Sequence, residues 1–122
     1  MKEIRTQDWN TFCQRLNEFE RGATVDIEWI DRESQAEKQI ARAAEFQEIT
    51  FGNRDGCSDR IMIHAGGKTE THHEIVEPIH ILLREHRDGS GFNAVAVEAE
   101  QGTTLLKFSP VIRPAWLQGL AI

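Results

Sequence analysis

The sequence predicts an α+β fold, with one N-terminal helix packed on a strongly twisted antiparallel meander of seven or eight strands that can curl toward a barrel. Three observations carry this expectation. Apolar residues recur with a period of two between Asp59 and Phe108, one apolar stripe at helical spacing precedes them, and short Gly- or Pro-containing stretches interrupt the pattern. Ile61, Ile63, Thr71, His73, Ile75, Ile79, Ile81, Leu83, Val95, Val97 and Ala99 share odd numbers; after Gln101-Gly102 the pattern moves to Thr104, Leu106 and Phe108. A period of two is that of a half-buried strand, whose successive side chains point to opposite faces. Residues opposite each other in an antiparallel pair share a face, so an odd loop keeps parity and an even one inverts it. Gly66-Gly67-Lys68, Val76-Glu77-Pro78 and Gly89-Ser90-Gly91 fit as three-residue loops, and Gln101-Gly102 as a two-residue turn with positive φ at Gly102. All four junctions agree with one continuous five-strand meander.

The helix is placed over about 6–21. Thr6 can cap it, Asp8 complements the helix dipole, and Trp9, Phe12, Cys13, Leu16 and Phe19 form one stripe. Gly22 is the expected C-cap. The sheet is placed over about 24–108. Val25, Ile27 and Trp29 alternate with Asp26 and Glu28, which reads as a strand. Residues 31–38 are charged and lack Gly and Pro, which suits either a long hairpin tip or one helical turn. Gln39 to Ala44 and Phe46 to Phe51 read as two further strands, although Ala41, Ala43 and Ala44 favour helix. Residues 52–56 are a loop by composition. Pro110 is expected to end the sheet after Phe108, and Pro114 to start a short helical turn in an apolar tail, 109–122.

A chain of 122 residues suits one domain, and 1–122 is expected to be a single unit. The net charge of −6 disfavours nucleic acid or an anionic membrane as the main partner. Two cysteines make no disulfide framework, and Cys13 on the apolar stripe reads as a small core hydrophobe in a reducing compartment. The charged N-terminus is not expected to act as a signal peptide, and no apolar run approaches the roughly 20 residues of a membrane span. Cytoplasm is therefore the expected location.

Three segments carry a resemblance: the helix start Asp8-Trp9-Asn10-Thr11-Phe12, the stretch from Thr71 to Pro78, and the closing run from Glu98 to Pro110. Together they resemble a family of small bacterial proteins numbered 5335 among the domains of unknown function. The resemblance covers nearly the whole chain and implies a single domain. It brings no activity, cofactor or site residues.

Candidate chemistry is thin. Gly66-Gly67-Lys68-Thr69 imitates the end of a phosphate-binding loop, but Met62 stands where a glycine is needed and a strand follows. Cys57 lies in a glycine-flanked loop with Arg54 and Arg60 near in sequence, too little to mark an activated thiol. His73 is the inward histidine and reads as hydrogen-bonded core. His64, His72 and His80 fall on the outer face, where two of them with Glu70 or Glu74 would form a weak metal candidate against a background of cross-strand charge pairs. Met62, Leu82 and Leu105 form an expected apolar strip on that outer face, to be covered by Trp116 of the tail or by a second chain. The leading expectation is a non-enzymatic protein-interaction or self-associating module that needs no cofactor. A small metal-dependent enzyme or sensor built on the outer histidines is the alternative.

Overall fold

The computed structural model describes residues 2–53, 59–67, 70–87, 89–117 and 119–120. Along the chain they form β1 (Lys2–Ile4), a 3-10 turn (Thr6–Asp8), α1 (Trp9–Glu20), β2 (Thr24–Asp31), β3 (Glu37–Asn53), β4 (Asp59–Gly66), β5 (Thr71–Val76), β6 (Pro78–Glu85), β7 (Phe92–Ala99), β8 (Gly102–Ile112) and a 3-10 turn (Pro114–Leu117). The eight strands make one sheet in the order β1-β6-β7-β8-β2-β3-β4-β5, with every pairing antiparallel. The sheet is not closed into a barrel, because β1 and β5 have one neighbour each.

The parity pattern sorts the faces as expected. Ile61, Ile63, Ile75, Ile81, Leu83, Val95, Val97, Leu106 and Phe108 are all buried, whereas Ile79 is 47% exposed beside the β5–β6 corner. The continuous five-strand meander is corrected. β5 and β6 do not pair, although only Glu77 separates them; β5 ends the sheet on β4, and β6 lies between β1 and β7. Glu77 has φ +52 and gives its N–H to the Asp59 carbonyl at 2.9 Å, so the chain turns a corner there instead of folding into a hairpin. Two meanders result, β2-β3-β4-β5 and β6-β7-β8, joined through the β8–β2 pair.

Within the expected hairpins each register moves by two residues. His64 pairs with His72, Leu82 with Ala96, and Ala96 with Leu105. A two-residue slip leaves every side chain on its original face, so alternation alone cannot detect it. The last hairpin consequently turns at Glu100-Gln101, since Glu98 pairs with Thr103. Gly102 is then the first residue of β8, outside the positive-φ region. A glycine is required there for a different reason. A Cβ would lie 2.4 Å from the Ile30 carbonyl oxygen and 2.6 Å from the Trp29 ring.

The alanine-rich stretch is one strand of 17 residues rather than two. Ala43, at φ +48, bends it, and the Asp26 carboxylate accepts the Ala43 N–H at 2.6 Å. Residues 31–35 form the turn before it. Asp31 accepts hydrogen bonds from the Ser34 backbone N–H and hydroxyl, both at 3.0 Å, and these hold its carboxyl below the usual range. At the other end β8 continues past Phe108 to Ile112, so the sheet does not stop at Pro110. Ile112 pairs with Phe92 across a register shift, an irregularity that lets a strand carry a proline.

α1 packs on β3 where β2 has already ended. Asn17 donates its amide to the Ile49 carbonyl at 2.9 Å and accepts the Ile49 N–H at 2.7 Å. The helix thereby satisfies backbone groups that a neighbouring strand would otherwise take. Trp9, Phe12, Cys13 and Leu16 are buried, and the Trp9 ring meets Phe51 edge-on at 5.4 Å. Phe19, expected on the stripe, is 41% exposed, and Glu20 is buried in its place. Burial raises the Glu20 carboxyl to about 7 and the Cys13 thiol to about 12. The 3-10 turn after β8 contacts α1, and Leu117 joins the core.

Candidate functional site

Three places bring together residues that sequence reasoning singled out. The first is inside the sheet. His73 on β5 is half-buried, and its Nε2 lies 2.9 Å from the Thr104 Oγ1 on β8, four places away in strand order. Trp29 adds a ring contact at 6.2 Å. The inner faces of β5 and β8 thus meet. Burial lowers the His73 pKa, which keeps the ring neutral in a site where a charge would be costly. Thr104 is fully buried, so its hydroxyl is held against the imidazole out of contact with solvent. No local signal pointed to Thr104, because it and His73 are 31 residues apart and meet across the interior.

The second place is the outer face of the β6-β7-β8-β2 region. Leu82, Ala96 and Leu105 are consecutive cross-strand neighbours, and the row continues to Glu28 on β2. Ala96 and Leu105 are 9% and 8% exposed, so they form the floor of a recess instead of an open strip. The recess has a volume of about 540 Å³, with Arg84, His80 and Glu98 on its walls and Asp31, Arg32 and Gln35 of the β2–β3 tip beside it. Met62 does not belong to this row. It lies on β4 opposite Glu74 and Thr50 and is 36% exposed. The expected strip of Met62, Leu82 and Leu105 depended on the β5–β6 pairing and divides without it. The tail turn lies against α1. The Trp116 side chain is outside the described residues, as are Lys68, Thr69 and Cys57.

The third place is the outer face of the β4–β5 hairpin. His64 and His72 are direct cross-strand partners, and their rings stack with centroids 4.2 Å apart and planes 14° from parallel. Glu70 is paired with His64 Nε2. One donor atom from each of His64, Glu70 and His72 lies within 4.8 Å of the others. Glu48 on β3 is the next residue in the row, opposite His64. His80 is not in this group. It lies on β6, with Nδ1 2.6 Å from the Glu3 carboxylate of β1. Two further cross-strand charge pairs lie on the outer face, Arg60 with Glu74 and Lys107 with Glu28, the latter at 2.6 Å.

These features define a class: a small α+β protein with an open eight-stranded antiparallel sheet, a recess on one outer region and a histidine pair on another. Among the described residues no helix is long and apolar enough to cross a membrane. The chain belongs to the Family of unknown function (DUF5335), whose sequence model matches residues 1–113 of the 122. No curated protein and no solved structure matches it.

Proposed function

We propose that the protein is a non-enzymatic, self-associating interaction module whose contact is the open edge of β5. One observation carries this reading: β5 is six residues long, is paired on one side only, and has neither lysine nor proline in Thr71–Val76. Exposed edges are normally blunted by shortness, charge or proline, because their unpaired backbone groups recruit other strands. The opposite edge, β1, has three residues and begins with Lys2.

The sequence of β5 is complementary to itself. In a two-fold antiparallel pairing with His73 opposite His73, each His72 faces a Glu74 on the outer side and each Thr71 faces an Ile75 on the inner side. A slip of two residues one way sets Glu74 against Glu74. The other way it sets Glu70 against Glu74. Like charges directly opposite are destabilising, so one register is preferred. A two-fold interface of this kind closes on itself and makes a dimer rather than a fibre. The Leu82–Ala96–Leu105 recess is the second candidate contact, favoured by its apolar floor and charged rim.

Sedimentation of the full chain decides between them. The wild type should be a dimer at micromolar concentration. Glu74→Lys should shift it toward monomer by removing the acceptor that faces His72. Adding His72→Glu should restore the dimer by giving each lysine at position 74 a carboxylate to face. Leu82→Arg should leave the assembly unchanged. A monomeric wild type sinks the reading, and dissociation by Leu82→Arg with none by Glu74→Lys moves the contact to the recess.

A further inference from the structure

We infer that His64, His72 and Glu70 form a binding site for a single divalent transition ion of the zinc type, built within one chain on the outer face of the β4–β5 hairpin. The geometry comes from the backbone. His64 and His72 occupy directly paired positions on adjacent strands, so their side chains leave the sheet side by side. Glu70 precedes β5 and reaches back to His64 from the hairpin end. The donor atoms already lie within 4.8 Å of one another. Tetrahedral coordination with metal–nitrogen bonds of about 2.0–2.1 Å needs donors roughly 3.3 Å apart. Side-chain rotation covers that difference, because Glu70 and His72 are exposed, His64 is half-buried, and the paired backbones need not move.

The donor set selects the ion. Two imidazole nitrogens and one carboxylate oxygen suit zinc, copper, nickel or cobalt, whereas calcium and magnesium prefer oxygen ligands alone. Local charge agrees. Glu48 continues the row on β3 beside His64, and no lysine or arginine occupies a paired position in the Glu48–His64–His72 row. Three protein ligands leave one position for water or for a group on another molecule. The site does not rest on the self-association reading, since all three donors belong to one chain.

Calorimetric titration of tag-free, chelator-treated full-length protein with zinc chloride tests this. The expected result is one saturable site per chain. His64→Ala and His72→Ala should each weaken binding by about tenfold or more, Glu70→Gln should weaken it less, and His80→Ala should leave it unchanged. Circular dichroism of the variants should match the wild type, because the altered side chains lie on the outer face. In parallel, histidine NMR should show ring signals of His64 and His72 moving on zinc addition while that of His73 does not. Absence of saturable binding, one ion per two chains, or binding that survives both histidine variants would overturn the site. His64 lies outside the proposed β5 contact, so loss of zinc binding in His64→Ala with the dimer intact separates this result from the other.

Discussion

The β6-β7-β8 meander and the β4–β5 hairpin obey the same inward pattern and differ in almost everything else. Ile81, Leu83, Val95, Val97 and Leu106 are fully buried on one, and Ile61, Ile63 and Ile75 are just as buried on the other. The meander has its outer edge covered by β1, which pairs Lys2 with Leu83 and Ile4 with Ile81. Its outer row is apolar and recessed. Among the described residues the hairpin ends on a strand paired on one side, and its outer row is Glu48, His64 and His72. Core-facing residues therefore build both regions alike and say nothing about role. What distinguishes the regions is the outer face and the edge, where backbone and side-chain groups remain available to other molecules.

The largest effects should come from testing whether the two cores are equally unyielding. Leu83→Ala, in a strand paired on both sides, should cost about 2–5 kcal/mol in a denaturant titration, from lost burial and an unfilled cavity. Ile75→Ala should fall at the low end of that range, because an edge strand can collapse into the space. Equal costs would mean that β5 is held as firmly as β6. Gly102→Val comes next at about 1–3 kcal/mol, from collision with the Ile30 carbonyl and the Trp29 ring. A neutral result would show that the β2–β8 pair can open there.

Acidity separates the helix from the hairpin. Glu20 holds its proton up to about 7 when folded but loses it near 4.5 when unfolded, so its contribution to stability falls as pH rises from 4.5 to 7 and is level above. His73, with a lowered pKa, works oppositely: the unfolded chain takes up a proton below about 6.5 that the folded chain refuses, so stability is lost on acidification. The difference between wild type and Glu20→Gln, followed by melting at pH 5 and pH 8, isolates the first slope. It should amount to about 1–3 kcal/mol, and parallel curves would refute it. The smallest effect should be Met62→Lys on the exposed face of β4, within about 0.5 kcal/mol. A larger loss would mean that Met62 is covered by something in solution.

Much of the candidate chemistry was legible only as composition. His64 and His72 could be placed on the outer face from parity, but their direct pairing depended on where the hairpin turned. Sliding that turn by one residue exchanged Glu70 for His72 as the partner of His64. His80 shared the face but not the place, since β6 lies across the sheet from β4 and β5. Phe19 and Glu20 show a similar limit in the helix. Both lie near the edge of the apolar stripe, and helical spacing alone cannot say which side β3 will cover.

By itself the sequence determined which face of most strands is inside, that one helix precedes an antiparallel sheet, and that the helix ends just before Gly22, which adopts φ +92. These follow from local rules, the alternation of side chains along a strand and the special freedom of glycine. Tertiary structure alone decided the strand order, the registers, the bend at Ala43 and the meeting of His73 with Thr104. The physical reason is that a slip of two residues, or the exchange of one apolar strand for another as neighbour, leaves every face unchanged. Such alternatives are separated only by contacts between distant segments, such as β1 covering the edge of β6 and Asn17 holding the edge of β3.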